Sequence, residues 1–145
     1  MATTYPHAPA PVIAGPEDAP IAASGQTLVL HEWTMPGPSY LHIHRSDDEA
    51  WHVLEGLLRF RLADRTFDAP AGTSVFVPAG VAHTYSCPVP SRYLIVLTPR
   101  LDRLISRLLA LADQRDVARV LAEHDTEIVG QPVPMPAGAG QVAQS

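Results

Sequence analysis

No lysine occurs anywhere in the chain; all ten basic residues are arginines, which excludes Schiff-base and lysine-base chemistry. A single cysteine, Cys87, leaves no partner for an internal disulfide and no CxxC metal or redox motif. The net charge is −5 and no block of basic residues appears, so the electrostatic footprint of a nucleic-acid binder is missing. No apolar run approaches the ~20 residues of a membrane helix. The opening MATTYPHAPAPVIAGPEDAP has neither a basic region nor a continuous apolar stretch of the secretory kind. The expectation is a soluble, cytoplasmic protein with a small-molecule partner, no nucleic acid and no membrane.

What is present is a composition able to bury a core. Hydrophobic residues make up 46% of 145 residues, enough for one packed domain. Residues 1–20 are rich in Pro and Ala and read as an extended or disordered arm. Residues 131–145 read as a second Pro/Gly/Ala-rich tail. Between them, TLVLHEWTM, YLHIHR, AWHVLE, LLRFRLA, TFDA, TSVFVP, AHTYS and RYLIVLT are short β-type segments separated by turn signals. In LLRFRLA, Leu58, Phe60 and Leu62 alternate with Arg59 and Arg61, the period of a half-buried strand. About eight strands over residues 21–99 predict a β-sandwich or barrel. After Pro99 the period changes. Leu101, Leu104, Ile105, Leu108 and Leu109 recur at helical spacing, and DVARVLAEHD continues as a second helix with Asp116 as its N-cap. Residues 100–130 are thus expected to be helices packed on the β domain.

One stretch, HIHRSDDEAWHVLEG, carries chemistry. On a strand, His42 and His44 point to the same face, ~6.5 Å apart, within reach of one metal. After the turn RSDD, Glu49 starts a strand in phase with Trp51 and Val53. An unpaired carboxylate facing inward costs several kcal/mol, and a bound cation compensates it. His52 is out of phase and should face away. Downstream, Pro78-Ala79-Gly80 re-aims the chain so that His83 and Tyr85 enter the next strand. Three histidines and one carboxylate suit Fe(II), Mn(II), Ni(II), Co(II) or Zn(II). Further pocket candidates are Trp51, Val53, Phe76 and Tyr85, with His31 and Trp33 either lining the pocket or packing between sheets. Asp47 and Asp48 read as turn residues; His7 and His124, lacking context, read as solvated.

The first block gives His42-x-His44, four residues, Glu49, six residues, Gly56; the second gives Gly72, five residues, Pro78-x-Gly80, two residues, His83. In order and spacing the two resemble the paired motifs of the cupin superfamily, over residues 26–98. Two positions depart from the family pattern: Gly37 lies one residue closer to His42, and Cys87 stands where the family often has Asn. The resemblance implies a small jelly-roll β-barrel with C-terminal helices, metal ligands His42, His44, Glu49 and His83, and a homodimer. The layout of barrel followed by helices is similar to quercetin-dioxygenase-like cupins. The function this implies is a metal-dependent dioxygenase acting on a phenol, enol or diketone, with Glu49 doubling as base. The alternative is a non-redox isomerase or small-molecule sensor.

Overall fold

The structure, a computed structural model, describes residues 10–129. His7, most of the N-terminal arm and the tail at 131–145 lie outside the described residues. Ten strands form two antiparallel sheets that face each other across one core. The first sheet has the order β1 (Ala22–Ser24), β2 (Val29–Trp33), β9 (Arg92–Leu97), β4 (Glu49–Glu55), β7 (Ser74–Val77). The second has the order β10 (Thr126–Ile128), β3 (His42–His44), β8 (His83–Ser86), β5 (Leu57–Leu62), β6 (Thr66–Pro70). Helices α1 (Pro99–Ala110) and α2 (Val117–Glu123) follow β9, and the chain then returns to the second sheet as β10. Two facing antiparallel sheets with long crossovers fit the expected jelly roll. The eight sequence-predicted strands correspond to β2–β9; the three-residue strands β1 and β10 are additional.

Alternation builds the core. Glu49, Trp51 and Val53 of β4 are buried, while Ala50 and His52 between them are half-buried on the outer face. Tyr93, Ile95 and Leu97 of β9 do the same, as do Leu58 and Phe60 of β5. Phe60 stacks on Phe67 and Tyr85 and meets the Trp51 ring edge-on, so aromatics fill the space between the sheets. Leu101 and Leu104 of α1, with Val120 and Leu121 of α2, extend this core beyond the strands.

Helix α1 starts where Pro99 occupies the first turn and the Thr98 hydroxyl accepts from Leu101 N at 3.2 Å. Asp116 stands at the N-cap position of α2 but makes no capping hydrogen bond; Asp113 instead caps the short 3-10 turn just before it. Among the described residues, no helix is long and apolar enough to cross a membrane.

Gly56 makes the β4–β5 turn at φ 78°, and a Cβ there would stand 2.4 Å from Pro90 O. Both the backbone angle and the space require glycine. Gly56→Ala is therefore expected to destabilise the fold by about 2–4 kcal/mol, read as a fall in the midpoint of chemical denaturation at unchanged slope.

Candidate metal centre

Both sheets contribute to one site. His42 and His44 project from β3, His83 from the paired strand β8, where His42 and His83 are direct register partners. Glu49 comes from the opposite sheet, at the start of β4. One ligand atom from each of the four lies within 4.8 Å of every other, and all four residues are buried. On an octahedral ion with bonds of ~2.1 Å, neighbouring donors stand ~3 Å apart and opposite donors ~4.2 Å apart, so this spacing suits a single cation.

The hydrogen bonds behind the rings fix what the rings present. His83 Nδ1 lies 2.9 Å from Val81 O and His42 Nδ1 lies 3.3 Å from Tyr40 O. A carbonyl only accepts, so both Nδ1 atoms carry the proton. His44 Nδ1 is 2.8 Å from Thr126 Oγ1, whose own hydrogen is donated to His124 O. Thr126 must therefore accept, and His44 Nδ1 is protonated too. In the neutral ring each Nε2 is then a bare lone pair. Two of these, on His44 and His83, face Glu49 Oε1 at 3.2 and 3.0 Å.

Acceptor facing acceptor in a dry site is unfavourable unless something positive joins them. A divalent ion does so with all four donors. A proton on the His44 or His83 ring is the other remedy. At His42, burial, followed by the neighbouring His83 and His44, drops the pKa to about 3. Burial alone pushes Glu49 up; the pull that leaves its carboxyl at about 2 comes from His44 and His83, and it acts only when those rings carry a proton on Nε2 where a cation would otherwise sit. The residues present thus fit a metal: neutral imidazoles, an ionised carboxylate, and outer contacts that lock each ring.

A cavity of about 260 Å³ opens over these four residues. For scale, an apolar cavity of ~150 Å³ holds a benzene ring. Trp33, Met35, Tyr40 and Tyr85 line it on one side, and Leu104, Ile105, Leu108 and Leu109 of α1 on the other. Tyr93 donates its hydroxyl proton to Met35 O, so Tyr85 Oη, 2.7 Å away, must be the donor to Tyr93. Burial above all pushes both phenols up, so both keep their protons. Gly37 packs so closely on Tyr85 that an added Cβ would come within 2.7 Å of its ring, and Gly37 N donates to Tyr85 O.

Residues 31–97 match the family model described as cupin domain. This part of the chain is a cupin domain. Solved structures with a similar fold include a cupin protein from Bacteroides fragilis, 14% identical at TM-score 0.50, with 61% of this chain and 82% of that one covered. KdgF from Halomonas sp. is 20% identical at TM-score 0.49, with coverages of 57% and 79%. A cupin-2 domain containing protein from Shewanella frigidimarina is 24% identical at TM-score 0.48, with coverages of 54% and 78%. No curated protein matches the chain.

Within this cupin, the structure sorts the sequence candidates. His42, His44, Glu49 and His83 converge. Trp33 and Tyr85 line the cavity. Trp51 and Val53 lie in the core rather than on the cavity wall; Trp51 meets His83 edge-on at 5.7 Å from beneath. Phe76 corrects the expectation: it is 65% exposed on the outer face. The reason is phase, because Val77 pairs with inward-facing Glu49 and Phe76 pairs with Ala50. His31 stacks on Trp33 and binds Asp102 of α1 at 3.0 Å, so it anchors the helix rather than lining the cavity. His52 bonds Ser74 Oγ on the outer face. His124, expected to be solvated, is buried and donates from Nδ1 to Val120 O, closing the end of α2. Cys87 is half-buried, and burial raises its thiol pKa.

Each side chain of the RSDD turn has a partner elsewhere in the fold. Arg45 pairs with Glu127 of β10, and Ser46 bonds Asp125 beside it. Asp47 accepts from the Thr98 hydroxyl at the head of α1, and Asp48 accepts from Ala79 N in the turn before His83. Thr126 and Asp47 are the functional residues that sequence spacing did not reveal.

Two expectations follow. In metal-free protein the unfolded His42 protonates near pH 6.5 while the folded one resists until about pH 3. Stability is therefore full above neutrality and declines as pH falls below 6.5, by on the order of 2 kcal/mol at pH 5. Glu49 acts in the same direction lower down, losing its contribution as pH falls toward about 2. Urea denaturation across this range should show the decline, and His42→Gln should flatten it above pH 5. Separately, Thr126→Val removes the acceptor that locks His44. Metal affinity should fall about 10- to 100-fold in a competitive chelator titration.

Proposed function

We propose that this cupin is a metal-dependent oxygenase for a small organic molecule that chelates through a phenol, enol or diketone head. The observation that supports it best is the set of Nε2 lone pairs aimed with Glu49 at one point on the cavity floor. Four protein donors leave about two positions of an octahedral ion for outside ligands. Bound there, Fe(II) or a similar redox-active divalent ion would supply substrate chelation and electron transfer to O₂.

The chain's own residues do the rest. His42, His44, His83 and Glu49 hold the ion's place, and the tautomer-locking bonds to Tyr40 O, Thr126 and Val81 O keep the donors aimed. Trp51 and the Tyr85–Tyr93 pair seal the floor against water. Held at about 2, the Glu49 carboxylate is ionised at all physiological pH values, which makes it a good ligand and a weak base. For Glu49 to take a proton from an enol or phenol, its contacts with His44 and His83 must loosen as the substrate enters.

Purified protein should carry close to one divalent metal per chain, and His44→Ala should lower that occupancy about tenfold or more. Iron-reconstituted protein should consume oxygen with at least one member of a phenol, enol and diketone panel, and His44→Ala should not. Chelator binding with no oxygen uptake across the panel would replace the oxygenase reading with a non-redox isomerase or sensor. Equal metal in wild type and His44→Ala would remove the site assignment itself.

A further inference from the structure

Helix α1 does more than cover the core. Leu101 and Leu104 on its inner face are 0% and 1% exposed, while Leu109, which also lines the cavity, is 71% exposed. Ile105, Leu108 and Leu109 lie three and four residues apart, on one face of the helix. They carry the apolar lining from half-buried Ile105 and Leu108 out to exposed Leu109. This lining is held in place from both sides. Asp47, in the turn between His44 and Glu49, accepts from Thr98 at the N-cap of α1, and His31 binds Asp102 one turn further on. The wall and the metal ligands therefore share a fixed frame.

The charged and ligating groups of the cavity are its four buried donors, and the Tyr40 hydroxyl is the further polar side-chain group on its wall without a hydrogen-bond partner among the described residues. No arginine lines it, although arginine is the chain's only basic side chain besides histidine. The Nδ1–H groups are committed to Tyr40 O, Thr126 and Val81 O, and the Tyr85 hydroxyl to Tyr93. A hydroxyl, phosphate or carboxylate carried on the part of a ligand that lies against half-buried Ile105 and Leu108 would lose water without gaining a partner from them, at a cost of several kcal/mol.

We infer that the cavity takes ligands with a compact chelating oxygen head and an apolar body, and that Ile105, Leu108 and Leu109 of α1 set the length of that body. The inference rests on the metal-centre reading for the head and on the α1 wall alone for the body. Polyols, sugars and phosphorylated ligands are excluded by the same wall. The sequence pattern hints at this: the apolar stripe of α1 is broader than Leu101 and Leu104 need for burial.

The test uses nickel-loaded full-length protein and a series of straight-chain alkyl hydroxamates, from acetohydroxamate upward, with affinity measured by calorimetry. Each added methylene should tighten binding about fourfold until the chain passes Leu109, after which the gain should stop. Leu109→Ser, at a position exposed enough to leave folding intact, should bring that plateau to shorter chains, and Leu108→Ser should reduce the gain per methylene to less than twofold. Affinity independent of chain length overturns the inference, as does a polyhydroxylated hydroxamate binding as tightly as the alkyl one of equal length. Failure of the metal reading looks different. Acetohydroxamate would then bind no better to nickel-loaded than to metal-free protein, while thermal stabilisation of the metal-free protein by 1-alkanols would still rise with chain length.

Discussion

The Nδ1–H groups of His42, His44 and His83 donate to Tyr40 O, Thr126 Oγ1 and Val81 O, and this turns three Nε2 lone pairs inward. Everything at the site depends on that arrangement. The histidines belong to one sheet and Glu49 to the other, so the donors meet only because the sheets pack face to face. A cation at their meeting point would bridge the two layers as well as satisfy the donors. Trp51, Phe60 and Tyr85 pack together between the sheets, and the low dielectric of such a core raises both the strength of the polar contacts beside it and the penalty for leaving one unmade.

The four-residue turn between His44 and Glu49 ties this centre to the rest of the molecule. Its side chains reach β10, the α2–β10 corner, the head of α1 and the turn that delivers His83. Only one of those connections involves the second motif block; the other three recruit elements that follow both blocks in sequence. The helices consequently belong to the site. They carry the cavity wall, and their anchoring contacts begin within five residues of a ligand.

Local order was readable because it is written in short-range patterns. The alternation Glu49-x-Trp51-x-Val53 places a carboxylate inward and His52 outward without any knowledge of the partner strand. The spacing of the two motif blocks likewise carries the ligand set. Phe76 was misjudged although the same logic, applied to Val75 and Val77, turns it outward. Other features have no short-range signature. Thr126 acts on His44 from 82 residues away, on a strand of three residues beyond two helices. His31 and Asp102 are separated by 71 residues, and nothing in either neighbourhood announces the pair. His124 looked free because its partner is the carbonyl of Val120, a group every residue possesses.

Strand β10 is the last described element, yet it pairs with β3, the strand that bears the first two ligands. During synthesis the two motif blocks emerge well before Thr126 does. Until the final strand docks, His44 has no lock and is free to present either nitrogen. A cation held in the finished geometry would therefore report that β10 and the two helices before it have folded as well. A nascent or clipped chain ending before β10 would hold all four donors and still lack the orientation that makes them a site.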